Sequence, residues 1–392
     1  MRWEPAYDAV VIGGGPSGAT AAQALAEAGR RVALLDKAGR IKPCGGAIPP
    51  RLIRDFHIPD HLLVARARTA RMIAPSARQV EMPVGKGYVG MVDRESFDEW
   101  LRVRAADAGA ERRIGRFDRI DRDESGMAIV RYRNAQGQAE AIRTRSIIGA
   151  DGARSRVARQ ALGIGPVPCV FAYHETIRSP ASGLDYDRER CDVFYQGALS
   201  PDFYGWIFPH GDTASIGVGS ARKGFALRDA VSALRRQAGL AGCETVRREG
   251  APIPLKPLRR WDNGRDVIVA GDAAGVVAPA SGEGIYYAMD SGRLAAEAAE
   301  TYLATGNVHA LGDARRAFMK AHGRVFAILG MMQYFWYRSD KRRERFVSIC
   351  TDPDVQSLTW EAYMNKRLVR ARPAAHARIF FKDLGHLLGS AV

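Results

Sequence analysis

Four groups of residues have the type and spacing to do chemistry. Glycines at 13, 15 and 18 form G-x-G-x-x-G within Gly13-Gly14-Gly15-Pro16-Ser17-Gly18, directly after the apolar run Ala9 to Ile12. Gly13 permits a tight turn, Gly15 lets backbone approach a pyrophosphate, and Gly18 lets a helix pack on the strand. The second group is Pro43-Cys44-Gly45-Gly46, which offers one thiol between residues that leave backbone bare. Asp151-Gly152 and Gly271-Asp272 are the third and fourth, each closing an apolar run with an acid. Ligands of open α/β sheets bind at the C-terminal ends of strands, so three such ends carrying Gly or Asp are expected to converge on one cleft.

The elements that must position these groups follow from hydrophobic spacing. Asp8 to Asp36 reads as strand, glycine turn, helix and second strand, with Gly29 as helix stop and Val32 to Leu35 as the strand. Asp36 then stands where an acid takes ribose hydroxyls, and the helix aims free N–H groups and its positive end at phosphates. Lys37 to Pro50 is a shaped loop, too rich in Gly and Pro for regular structure. Leu52 to Phe56 and Leu62 to Val64 read as short helical pieces. Ala67 to Met91 reads as short strands leaving the nucleotide unit.

Phe97, Leu101 and Ala105 return the chain to a helix whose first turn holds Arg94. A cation there opposes the helix dipole, which suits either a solvated arginine or one reaching an anionic cofactor. Strands are expected at Ala128 to Tyr132, at Ala141 to Thr144 and, separately, from Ser146 into Asp151; a helix follows over Arg156 to Leu162. Cys169 to Pro257 reads as an antiparallel sheet covering the cleft, with one helix at Leu227 to Leu240. Beyond Gly292 the chain reads as helical, clearest at Arg293 to Leu303, Arg315 to Phe326 and Trp360 to Val369.

The chain has 392 residues, enough for two or three packed subdomains. A net charge of +15 implies an anionic partner or an Arg-rich soluble surface. The arginines are scattered and no zinc, homeodomain or RNP pattern accompanies them, which argues against nucleic acid. Five widely spaced cysteines without C-x-x-C argue for a reduced compartment and against a zinc site. The glycine strand begins within ten residues of Met1, so no leader is expected; the longest uncharged apolar run, Val325 to Tyr337, is too short to span a bilayer.

GxGxxG near the start, a D-G pair mid-chain and a late G-D motif together resemble the para-hydroxybenzoate-hydroxylase-like FAD flavoproteins. Pro201-Asp202-Phe203-Tyr204-Gly205-Trp206-Ile207-Phe208-Pro209 and the PCGG loop resemble the geranylgeranyl reductase family, and Gln333 to Phe346 with the following DPDV resembles its chlorophyll and bacteriochlorophyll branch. The resemblance implies an α/β fold: a Rossmann-like FAD-binding domain (1–66, 92–165 and 262–310), an antiparallel-sheet substrate domain (67–91 and 166–261) and a helical C-terminal region (311–392).

It also implies FAD, with NADPH as electron donor and reduced ferredoxin as the alternative, because one dinucleotide fingerprint leaves no second Rossmann unit. Gly13, Gly15, Pro16, Ser17, Gly18, Asp36 and Lys37 are expected at the cofactor, as are Cys44, Gly45, Gly46, Ala47 and Arg94. Asp151, Gly152, Gly271 and Asp272 join them, together with Gly282, Gly284 and Ile285 at a helix start that would stabilise negative charge on the flavin ring.

Alternation puts Tyr204, Trp206 and Phe208 on one strand face, an aromatic stripe that serves as core or as a wall for a prenyl chain. Cys44 is the first candidate proton source and Tyr204 the second. The expected reaction is saturation of geranylgeranyl to phytyl, on geranylgeranyl (bacterio)chlorophyll or on geranylgeranyl diphosphate. The expected place is the cytoplasm, peripheral on the photosynthetic membrane, with Val325 to Tyr337 and the basic 338–343 segment as contact. Alternatives are a flavin monooxygenase, an archaeal-type prenyl lipid reductase and a non-catalytic scaffold; the halogenase W-x-W-x-I-P signature is absent.

Overall fold

A computed structural model describes residues 6–37, 42–85, 87–165, 167–180 and 185–366. Tyr7–Ile12 lies at the centre of a six-stranded sheet, between Val32–Asp36 and Ala139–Gly149, with Val267–Val269 beyond the latter, all parallel. Cover on both faces of this sheet is the reason its central strands are apolar throughout: Ala9, Val10, Val11, Ile147, Ile148, Val267 and Ile268 are all fully buried.

Helices Pro16–Glu27 and Ile285–Thr305 pack against each other beside this sheet. They meet tightly at Gly292, where a Cβ would fall 2.1 Å from the Ser17 carbonyl oxygen. Two segments differ from expectation here. Ala141 to Thr144 and Ser146 to Gly149 are one strand, Ala139–Gly149, whose first half pairs antiparallel with Ala128–Asn134 and whose second half joins the parallel core. Glu111–Arg122 is a twelve-residue strand that arginine-rich alternation hides from a hydrophobicity reading.

A seven-stranded sheet runs Thr245–Pro254, Cys169–Arg178, Thr213–Ser220, Gly205–His210, Arg190–Phe194, Thr69–Ile73 and Gln79–Pro83. It is antiparallel except where Arg190–Phe194 joins Thr69–Ile73 in parallel, which the expectation of a purely antiparallel sheet missed. That join brings in a segment from before the helix Arg94–Asp107, so the chain supplies the sheet twice. Helix Leu227–Gln237 buries Ala230, Val231 and Leu234 against it.

A small third sheet, Ala47–Ile48, Val89–Val92 and Leu63–Ala67, pins the loop after Asp36 between the two large sheets. Of Leu62 to Val64 only Leu62 is helical, closing a 3-10 turn over Asp60–Leu62; a strand begins at Leu63, which pairs with Val92. At the C-terminal end, helices Asp313–Trp336, Asp340–Ile349 and Pro353–Asn365 follow one another; Val369 lies outside the described residues.

Candidate functional site

The first strand ends in the glycine turn, and each glycine has a separate steric reason. Gly13 has φ +105°, and a Cβ there would meet the Ala150 carbonyl oxygen at 2.3 Å. At Gly18 a Cβ would lie 1.8 Å from the Gly13 carbonyl oxygen, so the helix cannot start this close to the strand with any side chain. A Cβ on Gly15 would meet nothing within 4 Å, which leaves backbone facing open space. Helix Pro16–Glu27 has no side-chain cap and no acid in its first turn, and the Ser17 hydroxyl, 5% exposed, has no partner. An uncapped N-terminus with an orphaned buried hydroxyl is what a pyrophosphate would complete, so these residues fit a dinucleotide.

Asp36 ends the second strand with its carboxylate over Gly14, where a Cβ would come within 2.6 Å of Oδ2; Lys37 follows it, exposed. Arg102 reaches in from helix Arg94–Asp107 and binds both Asp36 Oδ2 and the Gly14 carbonyl at 3.2 Å. The cation thus orients the acid beside the turn.

Asp151 follows the strand Ala139–Gly149, half-buried, and is engaged locally. It accepts from the Ser155 hydroxyl at 2.5 Å and from the backbone N–H groups of Arg156 and Val157 at 2.7 and 3.2 Å, anchoring the next helix. Burial pushes its carboxyl above the usual range, and those hydrogen bonds offset only part of the shift. Gly152, φ +84°, turns the chain beside it. Gly271 has φ +63° and packs its α-carbon against Ser17, while its N–H donates to the Ser291 hydroxyl. Asp272 is buried and paired with Lys42 Nζ at 2.5 Å, a residue of the loop that carries Cys44. The three strand ends, Gly13, Asp151 and Gly271-Asp272, do stand side by side, since their strands are paired in register.

The Cys44 loop meets the second sheet face to face. A Cβ on Gly45 would touch the Phe208 ring at 3.0 Å, and one on Gly46 (φ +71°) would lie 2.5 Å from both His210 Nε2 and the Val92 carbonyl oxygen. Trp206 and Phe208 rings are 6.3 Å apart and Tyr204 and Trp206 6.1 Å apart, so the three aromatics do share one side, with Ala47 pairing the loop to Met91 behind them.

Cys44 Sγ accepts from the Gly46 N–H at 3.4 Å. Arg94 faces it from below, buried and bidentate to Asp98 at 2.8 and 2.7 Å. Burial alone would lower the Arg94 guanidinium pKa, but Asp98 and the Cys44 sulfur reverse that and raise it. Arg94 is therefore neither solvated nor unpaired. Tyr204 donates to the Ser281 carbonyl at 2.5 Å. Burial, then Tyr195 and Cys44, push its phenol far above the ordinary value.

The Ser281 loop leads through Gly282, against Tyr204, to Gly284 and the helix beginning at Ile285. That helix start is not bare: Glu283 accepts from the Tyr286 N–H at 3.1 Å and is itself paired with buried Lys366 at 2.6 Å.

Residues 6–169 match the family model for an FAD binding domain. Over 384 residues, 98% of both chains, the sequence is 58% identical to a geranylgeranyl diphosphate reductase of Rhodobacter capsulatus. The chain belongs to the geranylgeranyl reductase family. A chloroplastic geranylgeranyl diphosphate reductase of Oryza sativa is 36% identical, covering 96% of this chain and 85% of its own. The fold is that of a geranylgeranyl bacteriochlorophyll reductase-like protein from Thermoplasma acidophilum, with TM-score 0.81, 20% identity, and 94% and 99% of the two chains covered. This geranylgeranyl reductase family member is a flavin-dependent oxidoreductase whose cofactor is FAD.

Sequence reasoning missed four contributors to this site: Lys42 on Asp272, Arg102 on Asp36, Asp98 on Arg94, and His210 beneath Gly46. Asp98 carried a readable signal, since it lies four residues after Arg94 on one helix. The other pairings join distant segments and leave no local trace.

Proposed function

We propose that this protein saturates the geranylgeranyl chain to phytyl by successive additions of hydride and proton to isolated C=C bonds, on geranylgeranyl (bacterio)chlorophyll or the free diphosphate. The observation that carries the reading is the apolar face of Tyr204, Trp206 and Phe208 closing on the Cys44-Gly45-Gly46 loop, with one thiol as its polar group. An alkene without an adjacent carbonyl offers nothing to grip except its apolar surface, so such a wall is what orients it. Bound FAD supplies the hydride, with NADPH as the donor that recharges it and reduced ferredoxin as the alternative.

The protein's part is to hold, orient and protonate. Gly13, Gly15, Pro16, Ser17 and Gly18 would take the pyrophosphate, Asp36 and Lys37 the ribose side, and Asp272, Gly271, Asp151 and Gly152 the linking chain. Gly45, Gly46, Ala47, Arg94, Gly282, Gly284 and Ile285 would frame the ring. Cys44 holds the proton for the second alkene carbon. Tyr204 is the weaker candidate, because its hydroxyl is already committed to the Ser281 carbonyl and burial disfavours its ionisation.

Phe208, Trp360, Tyr363 and Met364 pack against one cluster of Ala67, Val89, Met91 and Cys191, and Trp360 and Met364 with Pro50 and Val84 line a cavity of ≈ 530 Å³, which supports passage of a long chain. Among the described residues no helix is long and apolar enough to cross a membrane. Helix Asp313–Trp336 exposes Ile328, Met331 and Tyr334, and Arg338 and Arg342 stack on Tyr334 and Phe335 at 4.7 and 4.4 Å. We read that surface as a peripheral contact for anionic lipid.

The test is anaerobic incubation of FAD-loaded protein and reductant with geranylgeranylated bacteriochlorophyll, followed by mass analysis. Stepwise gains of one, two and three hydrogen molecules are expected. Gain only on free geranylgeranyl diphosphate would move the substrate upstream, and gain on neither would overturn the reading.

A further inference from the structure

Beside the aromatic wall lies a polar cavity of ≈ 30 Å³ lined by Cys44 of the loop and His174 of the sheet. It is large enough for about one or two waters. The sheet builds it by register. Glu249 lies directly opposite His174, His174 opposite Gly217, and Gly217 opposite Trp206, so a single row crosses four strands on one face. Gly217 is required there, because a Cβ would fall 2.1 Å from the Trp206 ring.

Hydrogen-bond chemistry then sets the state of His174. The Trp206 indole can only donate, and it does so to Ser215 Oγ at 3.2 Å. Ser215 Oγ keeps a second lone pair, which accepts from His174 Nδ1–H, 3.0 Å away, in the tautomer that leaves Nε2 as the basic nitrogen. That atom is buried without a hydrogen-bond partner, 3.5 Å from Glu249 Oε2, in a residue only 5% exposed. Glu249 is 19% exposed and Arg247 beside it 30%, which puts water within reach of the outer end of the row.

We propose that His174 is a positioning and proton-relay residue that refills the Cys44 thiol through the water of this cavity. The inference rests on Cys44 being the proton donor of the proposed reaction. In each round the S–H bond breaks as a C–H bond forms on the substrate, while the two electrons arrive with the hydride of that reaction. The thiolate then takes a proton from cavity water, the water regains one from Nε2 of imidazolium His174, which returns to neutral imidazole, and Nε2 is reprotonated from solvent by way of the Glu249 carboxylate. Successive reductions on one chain make such a refill necessary, since a thiol carries one proton.

Other groups face the same space. His210 ends Gly205–His210, two strands from His174, where burial lowers its pKa against a partial offset from the Phe208 carbonyl. Arg247 lies 3.8 Å from Asp93 and from Glu95 and 4.0 Å from Glu249. Lys42 is held by Asp272 and Arg94 by Asp98, so both cations are fixed in place by an acid of their own.

The experiment measures the alkylation rate of Cys44 by iodoacetamide across pH in the FAD-loaded protein, read on the Cys44 peptide by mass spectrometry, beside single-turnover alkene reduction. The shape of the wild-type profile should change in His174→Gln and, at a partly exposed position, in Glu249→Gln. His174→Gln should also reduce alkene at least tenfold more slowly with FAD retained.

A profile unchanged in both His174→Gln and Glu249→Gln overturns the relay. If His174→Gln is normal in profile and rate while Cys44→Ala is slow, Cys44 remains the donor and only the relay falls. If Cys44→Ala reduces alkene at the wild-type rate, the donor assignment falls and the relay with it.

Discussion

The turn Gly13 to Gly18 and the loop Cys44 to Gly46 are both glycine-rich and both face the same cleft, yet they are held in opposite ways. Around the first, a Cβ at Gly13 or Gly18 would strike backbone, the Ala150 and Gly13 carbonyl oxygens, and one at Gly14 would meet the Asp36 carboxylate. Around the second, they are mainly side chains from a distant sheet, Phe208 and His210, with one backbone oxygen at Val92. Backbone in a parallel sheet cannot give way without breaking its ladder, whereas a ring at a domain boundary can turn. The turn is thus held by backbone that cannot yield, and the loop mainly by side chains that can.

The largest effect should come from Gly18→Ala. A Cβ placed 1.8 Å from the Gly13 oxygen cannot be relieved by a rotamer, and a loss of about 4 kcal/mol or more is expected. Denaturant unfolding and FAD content check it, and a stable, FAD-loaded variant would break the contrast. Next is Cys44→Ala, which should keep FAD while slowing single-turnover alkene reduction by roughly a hundredfold to ten-thousandfold, the usual weight of a general acid.

Gly45→Ala is the sharper probe of an adjustable loop. Its Cβ would sit 3.0 Å from the Phe208 ring, so the ring should turn, FAD should stay, and alkene reduction should fall by about tenfold to a hundredfold. Loss of FAD in that variant would mean the loop is as rigid as the turn.

The smallest effect is on pH. Burial lowers the folded pKa of His210 below its unfolded value of about 6.5, so the unfolded chain binds the extra proton first. Stability is fully present above that value and declines as pH falls from it toward the lower folded pKa. His210→Gln should flatten that decline in thermal melts between neutral and mildly acid pH.

Legibility in the sequence follows the same division. Gly13, Gly15 and Gly18 are readable with their separate steric roles, because strand, turn and helix are consecutive and each constraint lies within a few residues. The alternation that places Tyr204, Trp206 and Phe208 on one side is readable for the same reason. Ala139–Gly149 reads as two strands because its halves have different burial, one pairing at the edge and one in the core. Glu111–Arg122 escapes because its stability comes from pairing with Val32–Asp36 and Ala128–Asn134, not from an apolar period of its own.

By itself the sequence determined the nucleotide cradle, the apolar face and the thiol between bare glycines, since periodicity and local sterics act over distances a chain segment can encode. Only the tertiary structure decided what those pieces touch. Asp151 turns its hydrogen bonds onto its own helix, Arg94 is matched by Asp98 and Cys44, and Lys42 closes on Asp272. Glu249, His174, Gly217 and Trp206 line up only through strand register. Register is a property of paired strands, set by which segments bury their faces together, and no single strand contains it.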